Sequence, residues 1–240
     1  MSQVAEFDWL NWLLNLVLAY YIGSFIWEFL KKYFVMVRLF DIEKGNQNEL
    51  IHFVTISKQQ LENIQTTYQW ESYDEYDNRV TEYMELLFDN LTQKHKGKET
   101  SNLFWKELTR GQKIFWSFLA FSGEVDNGGV NQFLHNKGEH LNAVRQVMVE
   151  LNQTELLKLY DNFLAELKKN SLKMNWYLTL SQTTILSKNQ RHRAYLKSLE
   201  LLDTPEELND YFYSDECRLQ WDKAMSDYIE SNLQQFALIN

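Results

Sequence analysis

The chain has 240 residues, 45% hydrophobic and 15% aromatic, enough for one sizeable domain or a domain with an appendage. One Pro and eight Gly leave few helix breakers, and the single cysteine, Cys217, excludes an internal disulfide and a cysteine-based zinc module. A net charge of −9 argues against direct nucleic-acid binding, since attraction to phosphates dominates that affinity, and favours a basic protein partner.

Residues 1–44 begin with an apolar segment in which nineteen positions between Asp8 and Glu28 carry no charge. Trp9 and Trp12 stand at one end, Trp27 and Tyr33 at the other, and Lys31, Lys32 and Arg38 follow on one side only. This pattern fits a membrane anchor over residues 9–30 that leaves the remainder of the chain in the cytoplasm. Asn11, Asn15, Ser24 and Glu28 dilute the hydrophobicity, which keeps a second reading open: a long hydrophobic helix packed on the domain or on a second subunit. A basic n-region and a small-residue cleavage site are both missing, so a cleaved signal peptide is not expected.

Residues 45–240 read as an all-α, multi-helix, bundle-like globular domain. Ser57 and Gln60 have the spacing of a capping box and open a helix towards Trp70. Tyr76, Val80, Tyr83, Met84, Leu87, Phe88 and Leu91 then recur at helical spacing. The opposite face is acidic: residues 62–91 hold Glu62, Glu71, Asp74, Glu75, Asp77, Glu82, Glu85 and Asp89 against Arg79 alone. Residues 93–102, QKHKGKETSN, form a charged loop and the clearest internal boundary. Thr109 and Gln112 repeat the capping-box spacing ahead of Ile114, Phe115, Phe118, Leu119 and Ser122.

After Gly138 a helix is marked by Leu141, Val144, Met148 and Leu151, and another by Leu156, Tyr160, Phe163, Leu164 and Leu167, with Thr154 as its cap. Residues 176–186, WYLTLSQTTIL, leave a strand or an irregular stretch open. The basic run 188–197, with Arg191, His192 and Arg193, is expected to complement acidic helices within the fold or across a dimer. Thr204 and Pro205 mark an N-cap and first helical position, and Trp221, Met225, Tyr228 and Ile229 face inward on the last helix. Residues 203–230 carry nine acids against Arg218 and Lys223.

The usual catalytic signatures are missing: no Gly-x-Ser-x-Gly elbow, no phosphate-binding loop and no His-Glu-x-x-His pair. His135, Glu139 and His140 are interrupted by Gly138 and read as surface or capping groups, so neither a metal nor another cofactor is expected. A weaker enzyme reading would place a pocket beside Glu124, Asn127 and Gln132.

The stretch GEVDNGGVNQFLHN, residues 123–136, reads as a helix, a turn and a second helix. Asn127 tolerates a left-handed conformation, and Gly128 and Gly129 accept positive φ. Val130, Phe133 and Leu134 supply an apolar edge, and Gln132 and Asn136 share a polar face. Glu124 is expected to accept hydrogen bonds from free N–H groups where the second helix starts. The pattern E-x-x-N-G-G-x-x-Q-F-x-x-N, carried by Glu124, Asn127, Gly128, Gly129, Gln132, Phe133 and Asn136, resembles the signature of the DNA mimic protein 19 family. The preceding helix LTRGQKIFWSFLAFSGE and the acidic region TPEELNDYFYSDECRLQWDKAMSDYI are also similar, so the resemblance covers about residues 85–235. Val130 departs from the aromatic residue usual after the glycines.

The resemblance implies an all-helical domain, often dimeric, whose named member imitates duplex DNA with a double row of surface carboxylates and so occupies a DNA-binding regulator. Mimicry of that kind lives in the surface acids, not in the Asn-Gly-Gly motif. The expected function is a non-enzymatic interaction module that engages a basic protein. Its candidate contact residues are Glu71, Asp74, Glu75, Asp77, Glu82, Glu85, Asp89, Glu206, Glu207, Asp210, Asp215, Glu216 and Asp222. A membrane-tethered, immunity-type protein that masks a toxin is the alternative.

Overall fold

The structure, a computed structural model, describes residues 14, 16–27, 40–43, 54–68, 72–94 and 102–240. Local capping sets several helix starts. Ser57 and Gln60 exchange hydrogen bonds at the head of α2 (Lys58–Thr67), and Thr109 and Gln112 do so at the head of α5 (Arg110–Lys137). A third capping box, Ser187 with Gln190, opens α8 (Lys188–Leu199).

Residues 16–27 form α1, followed by β1 (Val54–Ile56), α2, α3 (Tyr73–Lys94), α4 (Asn102–Glu107) and α5. A 3-10 turn (Gly138–His140) leads to α6 (Leu141–Glu150) and α7 (Thr154–Gln182). Then come α8, α9 (Thr204–Phe212), α10 (Asp215–Ser231), a second 3-10 turn (Leu233–Gln235) and β2 (Ala237–Ile239). The fold is mostly helical, with one departure from the all-α expectation. β1 and β2 pair in parallel, Val54 opposite Ala237 and Ile56 opposite Ile239. Residues 176–182, where a strand was open, continue α7.

Trp9, Trp12, Tyr33, Lys31, Lys32, Arg38 and both ends of the expected anchor lie outside the described residues, as do Glu71 and most of the 93–102 loop. Among the described residues, no helix is long and apolar enough to cross a membrane.

The described chain divides into two compact units: residues 1–37 with 167–202, and residues 38–166 with 203–240. The division falls inside α7, between Glu166 and Leu167, rather than at a loop or linker. The core of the larger unit is built around α5, whose Ile114, Phe115, Phe118, Phe121 and Val125 are all fully buried. Trp221 of α10 stacks on Phe118 at 4.8 Å, and Phe121 meets Phe133, Tyr160 and Phe212 edge-on. α5, packed against α6 and α9, also buries Gln112, Lys113 and Ser117, with the Lys113 ammonium beside Ile42 O and the Trp105 ring. On α10, Trp221, Met225 and Ile229 are buried while Tyr228 is half-buried.

His140 sits in an aromatic cage in this unit. Phe40 stacks on Trp105 at 4.4 Å, both rings lie edge-on to the imidazole, and Ser117 Oγ lies 3.2 Å from His140 Nδ1. Burial drives its pKa down to about 3, so it is neutral.

Two helix starts differ from the sequence reading. Thr154 is the first residue of α7 rather than its cap. Asp203, not Thr204, stands at the N-cap of α9 and makes no side-chain cap. Glu166 of α7 takes that role, accepting from the backbone N–H of Asp203 at 2.8 Å, that of Thr204 at 2.9 Å, and the Thr204 hydroxyl. A carboxylate there satisfies orphan donors and meets the positive end of the helix dipole. Glu166→Ala should therefore destabilise the protein by about 1–2 kcal/mol, the range of a lost N-cap. A urea midpoint unchanged from the parent would rule this cap out as a stabilising element.

Candidate functional site

The Asn-Gly-Gly stretch breaks α5 in the middle. The helix holds to Asn127. Gly128 is then extended (φ −177, ψ 23), Gly129 is left-handed (φ 78, ψ 179), and the helix restarts at Val130. Asn127 is not left-handed. Its side-chain amide instead donates to Gly123 O at 2.6 Å and closes the end of the first half. The N–H of Val130 donates to Asn209 Oδ1, 2.8 Å away on α9, so the second half is capped from another helix.

Glu124 has a different role from the expected one. Its Oε2 accepts from Gln132 Nε2 at 3.0 Å and from Asn136 Nδ2 at 2.8 Å. These bonds join the two halves of α5 across the break by side chains, while Phe133 anchors the second half in the core against Phe121. Of the two glycines only Gly129 needs a positive φ. Gly128 is small because a Cβ there would lie 2.2 Å from Gln132 Oε1.

Asp126, between these residues, pairs through both carboxylate oxygens with Arg218 at 3.0 and 3.2 Å. The buried Arg218 guanidinium also lies over the Phe212 ring, and Tyr213 donates its hydroxyl to Val125 O. Burial raises the Asp126 pKa and Arg218 opposes the rise. Neither Asn209 nor Arg218 was singled out from the sequence; both act across distances at which helical periodicity is silent.

A cavity of about 360 Å³ opens beside the corner. Met84, Phe88, Trp116 and Leu119 form its apolar wall, and Glu124, Asn127 and Lys137 its polar one. Gln132 is engaged by Glu124 and does not line the cavity. His135, Glu139 and His140 are not brought together as ligands: among the described residues no three His, Cys, Asp or Glu side chains lie close enough to hold a metal.

The acids on the outer faces fall into two classes. Asp74, Glu82 and Glu85 on α3, Glu206, Glu207 and Asp210 on α9, and Asp215 and Glu216 on α10 are exposed; Glu75 and Asp77 are half-buried. Asp77 also lies 3.8 Å from Arg218. The side chain of Asp89 lies outside the described residues. Asp222 corrects the sequence reading, being 2% exposed. Its helical phase puts it on the inward side of α10 next to Trp221, and burial pushes its pKa up to about 7, against the pull of Arg218. The described arginines of the larger unit are engaged internally: Arg79 with Glu230, Arg110 with Glu150, Arg145 with Asp161 and Arg218 with Asp126. Arg191 and Arg193, expected to complement the acids, have no carboxylate at ion-pair distance among the described residues.

No curated protein and no solved structure matches the chain. A family model described as DMP19-like protein matches residues 106–232, which run from α4 through the corner to the end of α10. With more than half of its length matched, the chain belongs to the DMP19-like protein family.

Proposed function

We propose that the chain is a non-enzymatic, cytoplasm-facing interaction module that engages a basic protein, of the kind that binds DNA, through the exposed acids of α3, α9 and α10. One observation carries this reading. Among the described residues no cation lies at ion-pair distance from Asp74, Glu82, Glu85, Glu206, Glu207, Asp210 or Asp215, while the described arginines of the same unit are neutralised internally. Uncompensated surface charge of one sign steers an oppositely charged partner and raises its association rate, an effect that salt weakens. The resemblance to DNA mimics supplies the class of partner. In that reading the Asn-Gly-Gly corner holds α5 against α9 and so fixes the frame that carries the acids, without touching the partner.

The test is capture of partners from host lysate by the full chain at low and high salt. A basic DNA-binding protein, released by salt and by competing duplex DNA, is the expected catch. With that partner purified, the double variant Glu82→Lys with Glu85→Lys should lower the association rate at low salt by about tenfold or more, at unchanged thermal stability. An association rate indifferent to both the charge reversal and the salt would remove the acidic faces from the interface. Capture of a toxin domain by the same acids would move the assignment to an immunity-type protein.

A further inference from the structure

Exposed apolar side chains and unneutralised cations gather on the same part of this chain, the smaller unit. Residues 167–202 hold seven Lys and Arg against Glu200 alone, a net charge of +6 in a chain of net −9. Among the described residues, none of these cations has a carboxylate at ion-pair distance. Their placement is regular. On α7, Lys168, Lys169, Leu172, Lys173 and Trp176 follow the i, i+1, i+4, i+5, i+8 spacing of one helical stripe, and all five are exposed, Leu172 by 66%. On α8, Lys188, His192, Arg193, Leu196 and Lys197 repeat the pattern, again with an exposed leucine among cations. Lys197 Nζ lies 5.9 Å from the Tyr177 ring centre, and Asn170 donates to Leu201 O at 2.8 Å, which ties the two helices together.

The α7 stripe runs on into α1. Phe25 packs edge-on to Trp176 at 5.3 Å, and Leu16, Val17, Leu18, Ile22, Ile26 and Trp27 are each exposed by 46–60%.

We propose that this unit docks on an anionic phospholipid surface, with α1 and the leucines of α7 and α8 in the headgroup–acyl boundary and the cations among the lipid phosphates. Aliphatic side chains set between cations gain nothing from the backbone of a nucleic acid but leave water when they enter a bilayer interface. Attraction of basic side chains to acidic lipids acts within a Debye length, so it is the cations lying among the exposed apolar side chains that meet the lipid phosphates. The mode proposed is surface docking, in which exposed apolar side chains enter the headgroup–acyl boundary with cations beside them. This goes beyond the acidic-face reading and does not depend on it.

The test is co-sedimentation of the purified full chain with phosphatidylcholine vesicles, with and without phosphatidylserine. The mixed vesicles should retain the protein, and high salt should weaken retention without abolishing it. Lys168→Gln, Lys169→Gln and Lys173→Gln together should lower vesicle affinity on the order of a hundredfold, roughly fivefold for each lysine. Leu172→Asn with Leu196→Asn should weaken binding even at high salt, where the charge contribution is screened. Circular dichroism should be unchanged in both variants. Charge reversal at Glu82 and Glu85 should leave vesicle binding intact, which separates this surface from the acidic one. Equal retention on neutral and mixed vesicles, affinity unmoved by the lysine triple variant, sedimentation without vesicles through self-association, or displacement by short duplex DNA would each overturn the proposal.

Discussion

Gly129→Val is expected to destabilise the larger unit by about 3–5 kcal/mol, enough to leave a marginally stable domain largely unfolded at physiological temperature. Two independent effects add. The backbone at Gly129 (φ 78, ψ 179) lies in a region that only glycine occupies readily, and a β-branched residue there carries about 1–3 kcal/mol of strain. A Cβ would also stand 2.9 Å from Asn209 Nδ2 and 3.1 Å from Asn209 Oδ1, displacing the amide that accepts from Val130 N–H. Leaving that N–H without its partner costs about 1–3 kcal/mol more. Gly128→Ala is the internal control, because its φ of −177 suits any residue and its new Cβ meets first the Gln132 side chain, whose amide end must move off Glu124. Its cost should be near 1 kcal/mol, one partly exposed hydrogen bond to Glu124. Gln132→Ala should be equally mild. Chemical denaturation of the three variants reads the order directly, and a Gly129→Val midpoint equal to the parent's would remove the corner from the fold's requirements.

What was legible in the sequence follows from how far each interaction reaches. The boxes at Ser57 and Thr109 close within three residues, so the residues that form them also announce them. The burial of Tyr76, Val80, Tyr83 and Leu87, and the exposure of Asp74, Glu82 and Glu85 opposite, follow from one amphipathic helix. Glu166 capping α9, Asn209 capping Val130 and Arg218 meeting Asp126 join elements that only the tertiary fold brings together, and no local pattern marks them. The β1–β2 pair is shorter still on signal: three residues on each strand are too few to establish an alternation. The expectation of Asp222 as a surface acid failed for a related reason. A helix surrounded by other helices buries polar positions as well, which is how Asp222 comes to be inside. The corner was recognisable as a corner from Asn-Gly-Gly; the direction of its hydrogen bonds was not, because Glu124 had both side-chain amides and backbone N–H groups within sequence reach.

Replacing Asp222 by Asn should stabilise the protein increasingly as pH rises, by about 2–4 kcal/mol at pH 8 and by almost nothing near pH 4. The folded carboxyl, buried beside Trp221, titrates near 7, whereas in the unfolded chain it returns to about 3.8. Between those values the native state holds a proton that the unfolded state has released, so the group's contribution falls as pH rises and is lost entirely above 7. His140 acts in the opposite direction. Its folded pKa of about 3 lies below the ordinary 6.5, so the unfolded chain takes up a proton that the caged imidazole refuses, and stability falls as pH drops from 6.5 towards 3. In the parent the two slopes oppose each other between about pH 4 and 6.5, and acid unfolding steepens only below that window, where the carboxyl has already been protonated in both states. Asp222→Asn leaves the histidine unopposed, so the variant's stability should climb steadily across the same window. Urea unfolding of parent and variant at pH 4, 6 and 8 measures the difference at each point. A variant less stable than the parent at pH 8 would mean that the ionised carboxylate gains more from Arg218 than its burial costs, and the assignment of Asp222 as a buried, destabilising acid would fall.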